Sequence, residues 1–579
     1  MENSFRQEHP NPQFQRNSWI NLNGVWDFEI DFGKSGRERK MYETGNFTKK
    51  INVPFCPESK LSGIEYKDFM NGVWYRRTFE LSNCSSKRTV IHFGAVDYMS
   101  CVYINGHEVG THRGGYSSFS YDITEYCRDG ENTVVVYAEE NMHNGLQPVG
   151  KQSRSFYSHG CDYTRTTGIW QTVWLEFTPK DYIASFKLYP DISASSLHIS
   201  AELNGLGKFS AKASFEGKEC GSVTFVKKAA SGNIVNVTLN LSDLHLWEIG
   251  KGGLYDLDLT FGEDEVHSYF GMREVRLEGN RFILNGKSIF LRTVLDQGFY
   301  PDGIYTAPSD EALINDIKIS MDMGFNGARL HQKVFEARFL YHCDRLGYMV
   351  WGEHANWGLD LSNPMALHSF LKEWLEIVNR DFNHPALIGW CPFNETWDYD
   401  GRQQLDDNLL LVYRTTKLLD RTRPCIDTSG NFHVHETDIY DLHDYEQDVD
   451  KFKHTYSELA KGGSIIGEGH VHRQQYDFPE YRALPLFISE YGGIKWDVDS
   501  NNAEAWGYGA APKTEKEFLD RYKGLTEVLL SNKNIFGFCY TQLYDIEQET
   551  NGLYTYGRKA KFDPEFFKKI NSQKAAIEG

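Results

Sequence analysis

Two glutamates stand where apolar runs give way to polar residues. The run Ala386 to Trp390 leads into Asn394-Glu395 within the stretch Ile388 to Trp397 (IGWCPFNETW), and Leu484 to Ser489 leads into Glu490 (LPLFISEYGG). A buried strand delivers polar groups to one end of a sheet in this way, and in a parallel barrel the chemistry sits at the C-terminal strand ends. A lone glutamate at a strand end is ordinarily a solvated loop residue. Two presented by separate strands meet the need of glycoside hydrolysis, in which one carboxyl protonates the leaving oxygen and the other attacks or activates water.

The elements that would position them follow from the pattern after Glu278, where strand and helix alternate. Strands are predicted at 288–297, 325–331, 348–355, 386–395, 425–430, 439–445, 484–492 and 535–545. Helical patterns fall at 309–323, 334–346, 364–382, 404–420, 449–461, 513–532 and 563–575, and the gap 431–438 is too short for a full helix. Eight such units predict a (β/α)8 TIM barrel. Ahead of it, Trp19 to Pro179 holds short alternating strands and the hairpin dipeptide Asn105-Gly106, as in a jelly-roll β-sandwich. Lys180 to Arg276 has the turn spacing of an immunoglobulin-like β-sandwich and carries no evident chemistry. The expected domains are 1–179, 180–276 and 277–579, with the barrel catalytic and the middle sandwich a spacer.

The composition narrows the function. A net charge of −19 argues against nucleic acid or an anionic membrane as partner, since both need a concentrated positive field. With 13 Trp, 33 Tyr and 37 Phe the chain has aromatic faces to spare for sugar rings. The ten cysteines are scattered singly, with no metal-ligand spacing, so no metal site and no cofactor is expected. Free thiols in apolar runs and an N-terminus without an apolar signal core predict a soluble cytoplasmic protein. Nothing in the chain excludes a homo-oligomer.

Other polar groups fall at the same strand ends: Arg329 and His331 on strand two, Glu353 and His354 on strand three, His443, Asp444 and Tyr445 on strand six, and Tyr540, Gln542 and Asp545 on strand eight. One such residue is more often a structural hydrogen-bonder. A ring of them around one mouth suits a polyhydroxylated ligand, such as an oligosaccharide or glycoside.

The chain resembles glycoside hydrolase family 2, which includes β-galactosidases, β-glucuronidases and β-mannosidases. The likeness covers nearly all of it and rests on NGVWDFEI, TTGIWQTVWLE, MGFNGARLHQK, HPALIGWCPFNETW and LPLFISEYGG. It implies that Glu395 is the general acid/base and Glu490 the nucleophile, that Asn394 bonds the sugar 2-hydroxyl, that Arg329 orients Glu490, that His331 contacts the sugar and that Tyr445 partners the nucleophile. It also implies that Asp162 reaches from the first domain into the mouth to bind hydroxyls. His443 and Tyr540 are further expected substrate contacts, and Asp296 and Gln297 are sugar contacts by position. The sequence departs from the family's glucuronidases, whose Asn-x-Lys lysine holds the sugar carboxylate: Asn551-Gly552-Leu553 has leucine there, with Arg558 and Lys559 as substitutes. The metal ligands of the best-known β-galactosidases are not recognisable either.

The mechanism expected is a double displacement with retention. Glu490 stays ionised beside Arg329, while Glu395 keeps its proton in an apolar setting of Trp390, Phe393 and Trp397. The sandwiches closing one side of the mouth favour release of single terminal sugars. A β-galactosidase-like enzyme is the first reading of the sugar, with a β-glucuronide, galacturonide, β-mannoside or arabinoside as alternatives. The rivals in kind are a carbohydrate-binding protein without turnover and a transglycosylase.

Overall fold

The computed structural model describes residues 5–398, 401–430, 432–463, 465, 484–498 and 503–578. The architecture is the expected one: a jelly roll, an immunoglobulin-like sandwich and a TIM barrel. In the barrel, β1 (Leu291–Asp296), β2 (Gly327–Leu330), β3 (Met349–Glu353), β4 (Leu387–Cys391), β6 (Tyr440–Asp444), β7 (Leu486–Gly492) and β8 (Ile535–Thr541) form one parallel sheet in the order β4-β3-β2-β1-β8-β7-β6. The remaining strand, β5 (Thr428–Ser429), pairs in parallel with Phe393–Asn394, an extension of β4. Every residue of β1, β2, β4 and β7 is buried, which is why these strands read as continuous apolar runs rather than alternating ones. β8 ends at Thr541, short of the predicted 545, because the chain then turns and Asp545 N–H bonds to the Tyr554 carbonyl (2.9 Å).

Among the described residues seven helices surround the sheet: α1 (Asp310–Asp322), α2 (Ala337–Leu346), α3 (Pro364–Asp381), α4 (Asp406–Leu419), α5 (Val449–Ser457), α6 (Glu515–Leu530) and α7 (Pro564–Asn571). Their starts are written in the sequence. Ser309, Asn363, Asp448, Thr514 and Asp563 each accept a hydrogen bond from a first-turn N–H, and Pro364 and Pro564 open α3 and α7, where a missing N–H costs nothing.

The first segment packs a four-stranded sheet against a six-stranded one. At its Asn105-Gly106 hairpin both residues have positive φ, +50° and +84°, as a tight turn of this type demands. The second packs three strands against four. Arg16 ties the two together, its guanidinium bonded to Asp264 and to Glu176. What matters for the site is the long connection of the first segment between Glu139 and Gly168. It lies on the barrel's C-terminal face, with Val149 N–H bonded to the Trp357 carbonyl (2.8 Å) and Gln548 Nε2 to the Gly160 carbonyl (2.8 Å).

Candidate active site

Glu490 sits on the barrel floor. A register shift in β7 between Ile488 and Tyr491 lets neighbouring residues serve the site together, Ser489 reaching Asp441 while Glu490 enters the mouth. Arg329 donates from Nη1 to Glu490 Oε1 (3.1 Å) and to the Ser489 carbonyl (2.8 Å), from Nη2 to Asn394 Oδ1 (3.0 Å), and from Nε to Glu353. The Tyr445 hydroxyl donates to the other oxygen of Glu490, and its ring lies flat on Tyr508 at 3.4 Å. Burial favours protonating Glu490 and Glu395 opposes its ionisation, but His443, Arg329 and His331 outweigh both and hold it below the ordinary glutamate value.

Glu395 faces it. A ring nitrogen of His443, a carboxylate oxygen of Glu395 and one of Glu490 all lie within 4.8 Å of one another. His443 bridges the pair, with Nδ1 2.7 Å from Glu395 Oε1 and Nε2 3.4 Å from Glu490 Oε1. Glu395 is held in the left-handed backbone region at φ +47°.

The expectation that Glu395 keeps its proton in apolar surroundings is corrected here. Trp390 points outward, giving its indole N–H to Asp420 (2.8 Å) and packing edge-on against Trp374 of α3. Phe393 stacks on Phe370 of the same helix, and Trp397 is half exposed at the rim. Burial does push Glu395 toward the neutral form, but His443, Lys151 and His331 prevail and bring it down to about 2.

Other predicted residues divide. Asn394 Nδ2 is buried without a partner among the described residues, as a donor reserved for a ligand would be. His331 rests on Glu353 (3.2 Å) beside Arg329, and burial lowers its pKa. Asp162 lines a cavity of about 350 Å³ together with Glu395, Trp357, Trp397, His143 and Arg154, so the first segment does reach the mouth. Tyr540 does not. Side chains alternate along a strand, and while Thr541 meets the Tyr445 hydroxyl (3.1 Å), Tyr540 packs outward on Tyr522 of α6.

His354 likewise turns to Phe370 and Trp374, Asp444 to Tyr456 of α5, and Asp545 to Lys561. Asp296 accepts from the Tyr544 hydroxyl and the Gly298 N–H through one oxygen, and Gln297 Nε2 donates to Gln542 (2.7 Å) while its carbonyl oxygen has no partner among the described residues. Glu353 lies beneath Arg329 as its counter-ion and not at the mouth. Leu553 is fully buried, and Arg558 is committed to Asp316 (3.0 Å), leaving neither to meet a sugar carboxylate.

Sequence reasoning missed four contributors. Lys151, from the first segment, is buried with its ammonium 3.8 Å from the Trp357 ring centroid and with no hydrogen bond or ion pair to a described residue. Burial works against its charge, yet Cys161, Glu549, Glu395 and Glu490 raise its pKa above the ordinary lysine value. Tyr163 and Glu549 bond across the same boundary. Asp441 accepts from Ser429 (2.6 Å) and Ser489 behind His443. Asp441, His443 and Tyr445 recur at period two, a signal that could have found the first of them. Lys151, in the loop PVGKQSRSF, has no such signal.

Three family models match the chain: the sugar binding domain of glycosyl hydrolases family 2 over residues 41–179, a further family 2 domain over 181–273, and the family 2 TIM barrel domain over 275–497. A β-glucuronidase of Streptococcus agalactiae is 24% identical, covering 96% of each chain. A β-galactosidase of Thermoanaerobacter pseudethanolicus is 27% identical over 62% of this chain and 48% of its own. The chain thus spans nearly all of the first relative and about half the length of the second. Among solved structures, a β-glucuronidase of an uncultured Clostridium superimposes with a TM-score of 0.79 at 19% identity, covering 96% of this chain and 99% of that one.

Proposed function

The chain belongs to glycoside hydrolase family 2 and is a glycosidase, and from that premise we propose that it is a retaining, exo-acting enzyme that removes a terminal β-linked sugar by double displacement. Glu490 is the nucleophile and Glu395 the acid and base. The observation that carries this reading is the approach of the two carboxylates to within 4.8 Å. Retention places the two groups about 5–5.5 Å apart, whereas inversion needs about 6.5–9.5 Å to admit a water. The surroundings agree with the roles. Arg329 and Tyr445 fix both oxygens of Glu490, leaving an ionised nucleophile, while Glu395 stands at the cavity, where a leaving group would lie. Asn394 Nδ2 suits the sugar 2-hydroxyl, and the Glu139 to Gly168 connection roofs the floor so that a chain end enters more readily than a chain middle.

A β-galactosidase-like substrate remains the first reading of the sugar. A uronide is the second, and Lys151 favours it. An ammonium nearly removed from water with no hydrogen-bond or ion-pair partner among the described residues is costly unless a ligand supplies one. A sugar carboxylate would do so with a charge-assisted bond. The relatives named β-glucuronidase and β-galactosidase fit one reading each. A panel of nitrophenyl glycosides covering β-galactoside, β-glucuronide, β-galacturonide, β-mannoside, β-glucoside and arabinosides tests the sugar, and the anomeric configuration of the first product, read by NMR, tests the mechanism. An inverted product overturns the assignment of Glu490.

A further inference from the structure

The hydrogen bonds around His443 fix how many protons it and Glu395 can hold. The Ser429 hydroxyl has one hydrogen and gives it to Asp441 (2.6 Å), whose carboxylate also faces the His433 ring nitrogen at 3.3 Å. Toward His443 Nε2, 3.0 Å away, Ser429 can therefore only accept, so Nε2 carries a hydrogen. Glu490 Oε1 at 3.4 Å from the same nitrogen asks for the same. On the other side, Nδ1 and Glu395 Oε1 are 2.7 Å apart and must have one proton between them. Two arrangements satisfy the Ser429, Glu490 and Glu395 contacts together, leaving only the long Arg329 Nη1 approach (3.5 Å) unmet: imidazolium with carboxylate, or neutral imidazole with carboxylic acid. They differ by the position of the very proton that a leaving oxygen needs.

We propose that His443 is the proton-holding partner of Glu395: in the free enzyme the catalytic proton rests on Nδ1, crosses to Oε1 as Glu490 attacks, and returns to Nδ1 when water has been split. The proposal rests on the roles given above to the two glutamates. The steps balance. As the bond from Glu490 to the anomeric carbon forms and the glycosidic bond breaks, Oε1 passes its proton to the leaving oxygen. His443 is then neutral, and its bare Nδ1 beside Oε1 raises the basicity of Glu395. Glu395 next takes a proton from water as the new C–O bond forms and the ester to Glu490 breaks, and that proton goes back to Nδ1.

Attack itself triggers the transfer. Burial opposes a charged His443, and what keeps the ring protonated is chiefly the charge of Glu490, then that of Glu395, with Arg329 at 3.5 Å opposing. When the nucleophile spends its charge on the sugar, its support for the imidazolium goes with it, and the proton moves to the carboxylate. Nucleophile and acid are thereby coupled through one ring. Lys151 and His331 add positive potential at Glu395, and Asp427 and Asp441 hold His433 charged behind the network.

His443→Gln preserves hydrogen bonding to Glu395 but cannot store a proton. On aryl glycosides of whichever sugar the panel identifies, it is expected to lower kcat/KM about 100-fold for a phenol leaving group and less than about fivefold for dinitrophenol, within the range general acid catalysis supplies. The basic limb of its pH profile moves to lower pH, since the wild-type limb reports loss of the shared proton. Equal losses for both leaving groups with an unmoved limb would show that His443 merely packs, and overturn the proposal. Should the variant not fold, the wild-type chain decides: with 15N-labelled histidine, the His443 ring, assigned by its contacts in the folded protein, is doubly protonated at pH 7, and a neutral ring overturns the idea. Azide rescue of Glu395→Ala and Glu490→Ala tests the underlying roles separately, so failure there is not mistaken for failure here.

Discussion

The floor of the mouth and its rim are built differently. On the floor, Arg329, Glu353 and Glu490 come from strands of one sheet and Tyr445 follows directly on β6; all four are buried and satisfy one another. At the rim, Lys151 and Asp162 come from a separate sandwich: Asp162 lines the cavity, and Lys151 lies buried over the Trp357 ring with no hydrogen bond or ion pair to a described residue. A site with fixed geometry and no spare valence suits chemistry common to many sugars, whereas spare donors suit recognition of one. On the function proposed above, the floor governs turnover and the rim governs choice.

The harshest way to break that division is at the floor. Glu490→Ala is expected to cut turnover on the order of 10⁴-fold or more on every substrate, as loss of a nucleophile does, with azide restoring activity and giving the α-glycosyl azide. Glu395→Ala should cost about 10²–10⁴-fold on a natural leaving group and far less on dinitrophenolate, with azide giving the β-azide. Exchanged configurations would exchange the roles. Arg329→Met leaves Glu353 and Glu490 without their shared cation, and a melting experiment should show about 3–5 kcal/mol lost besides activity.

At the rim the effects become selective. If the sugar is a uronide, Lys151→Met should reduce kcat/KM about 10–100-fold on the uronide, the worth of a charge-assisted bond, and leave a neutral glycoside nearly unchanged. Equal loss on both would move Lys151 from the rim to the floor in this scheme. Asp162→Ala should raise KM about tenfold with kcat and melting temperature little altered, the worth of a hydrogen bond to a sugar hydroxyl. Smallest of all is Tyr540→Phe, whose hydroxyl lies in the helix layer: less than a twofold change in either constant is expected.

The same division separates what the sequence reveals from what it hides. Floor residues follow apolar runs, so Glu395, Glu490, Arg329 and His443 announce themselves by position on a strand. Orientation around the strand is harder to read: Tyr540 and His354 fall at strand ends, and Trp390 stands near Glu395 in sequence, yet all three side chains lie in the helix layer. Continuous burial erases the alternation that would have sorted inward from outward. Lys151 is illegible for another reason: its burial is created by Trp357, some two hundred residues away, and no local pattern in PVGKQSRSF foretells that meeting. The protonation state of Glu395 is not legible from its neighbours in sequence, because Trp390, Phe393 and Trp397 turn away and His443 and Lys151 are its neighbours in space.

Glu395 is held at φ +47°, a conformation that costs a side-chain-bearing residue of order 1–3 kcal/mol. The fold tolerates this at the one position whose carboxylate must turn to meet His443. Natural selection acting on thermal stability alone would carry the site toward glycine or asparagine, which accept such a backbone more easily. A descendant freed from its reaction would thus gain stability by its first inactivating substitution, and that substitution, read in a genome, would mark the loss of catalysis before any other part of the barrel had changed.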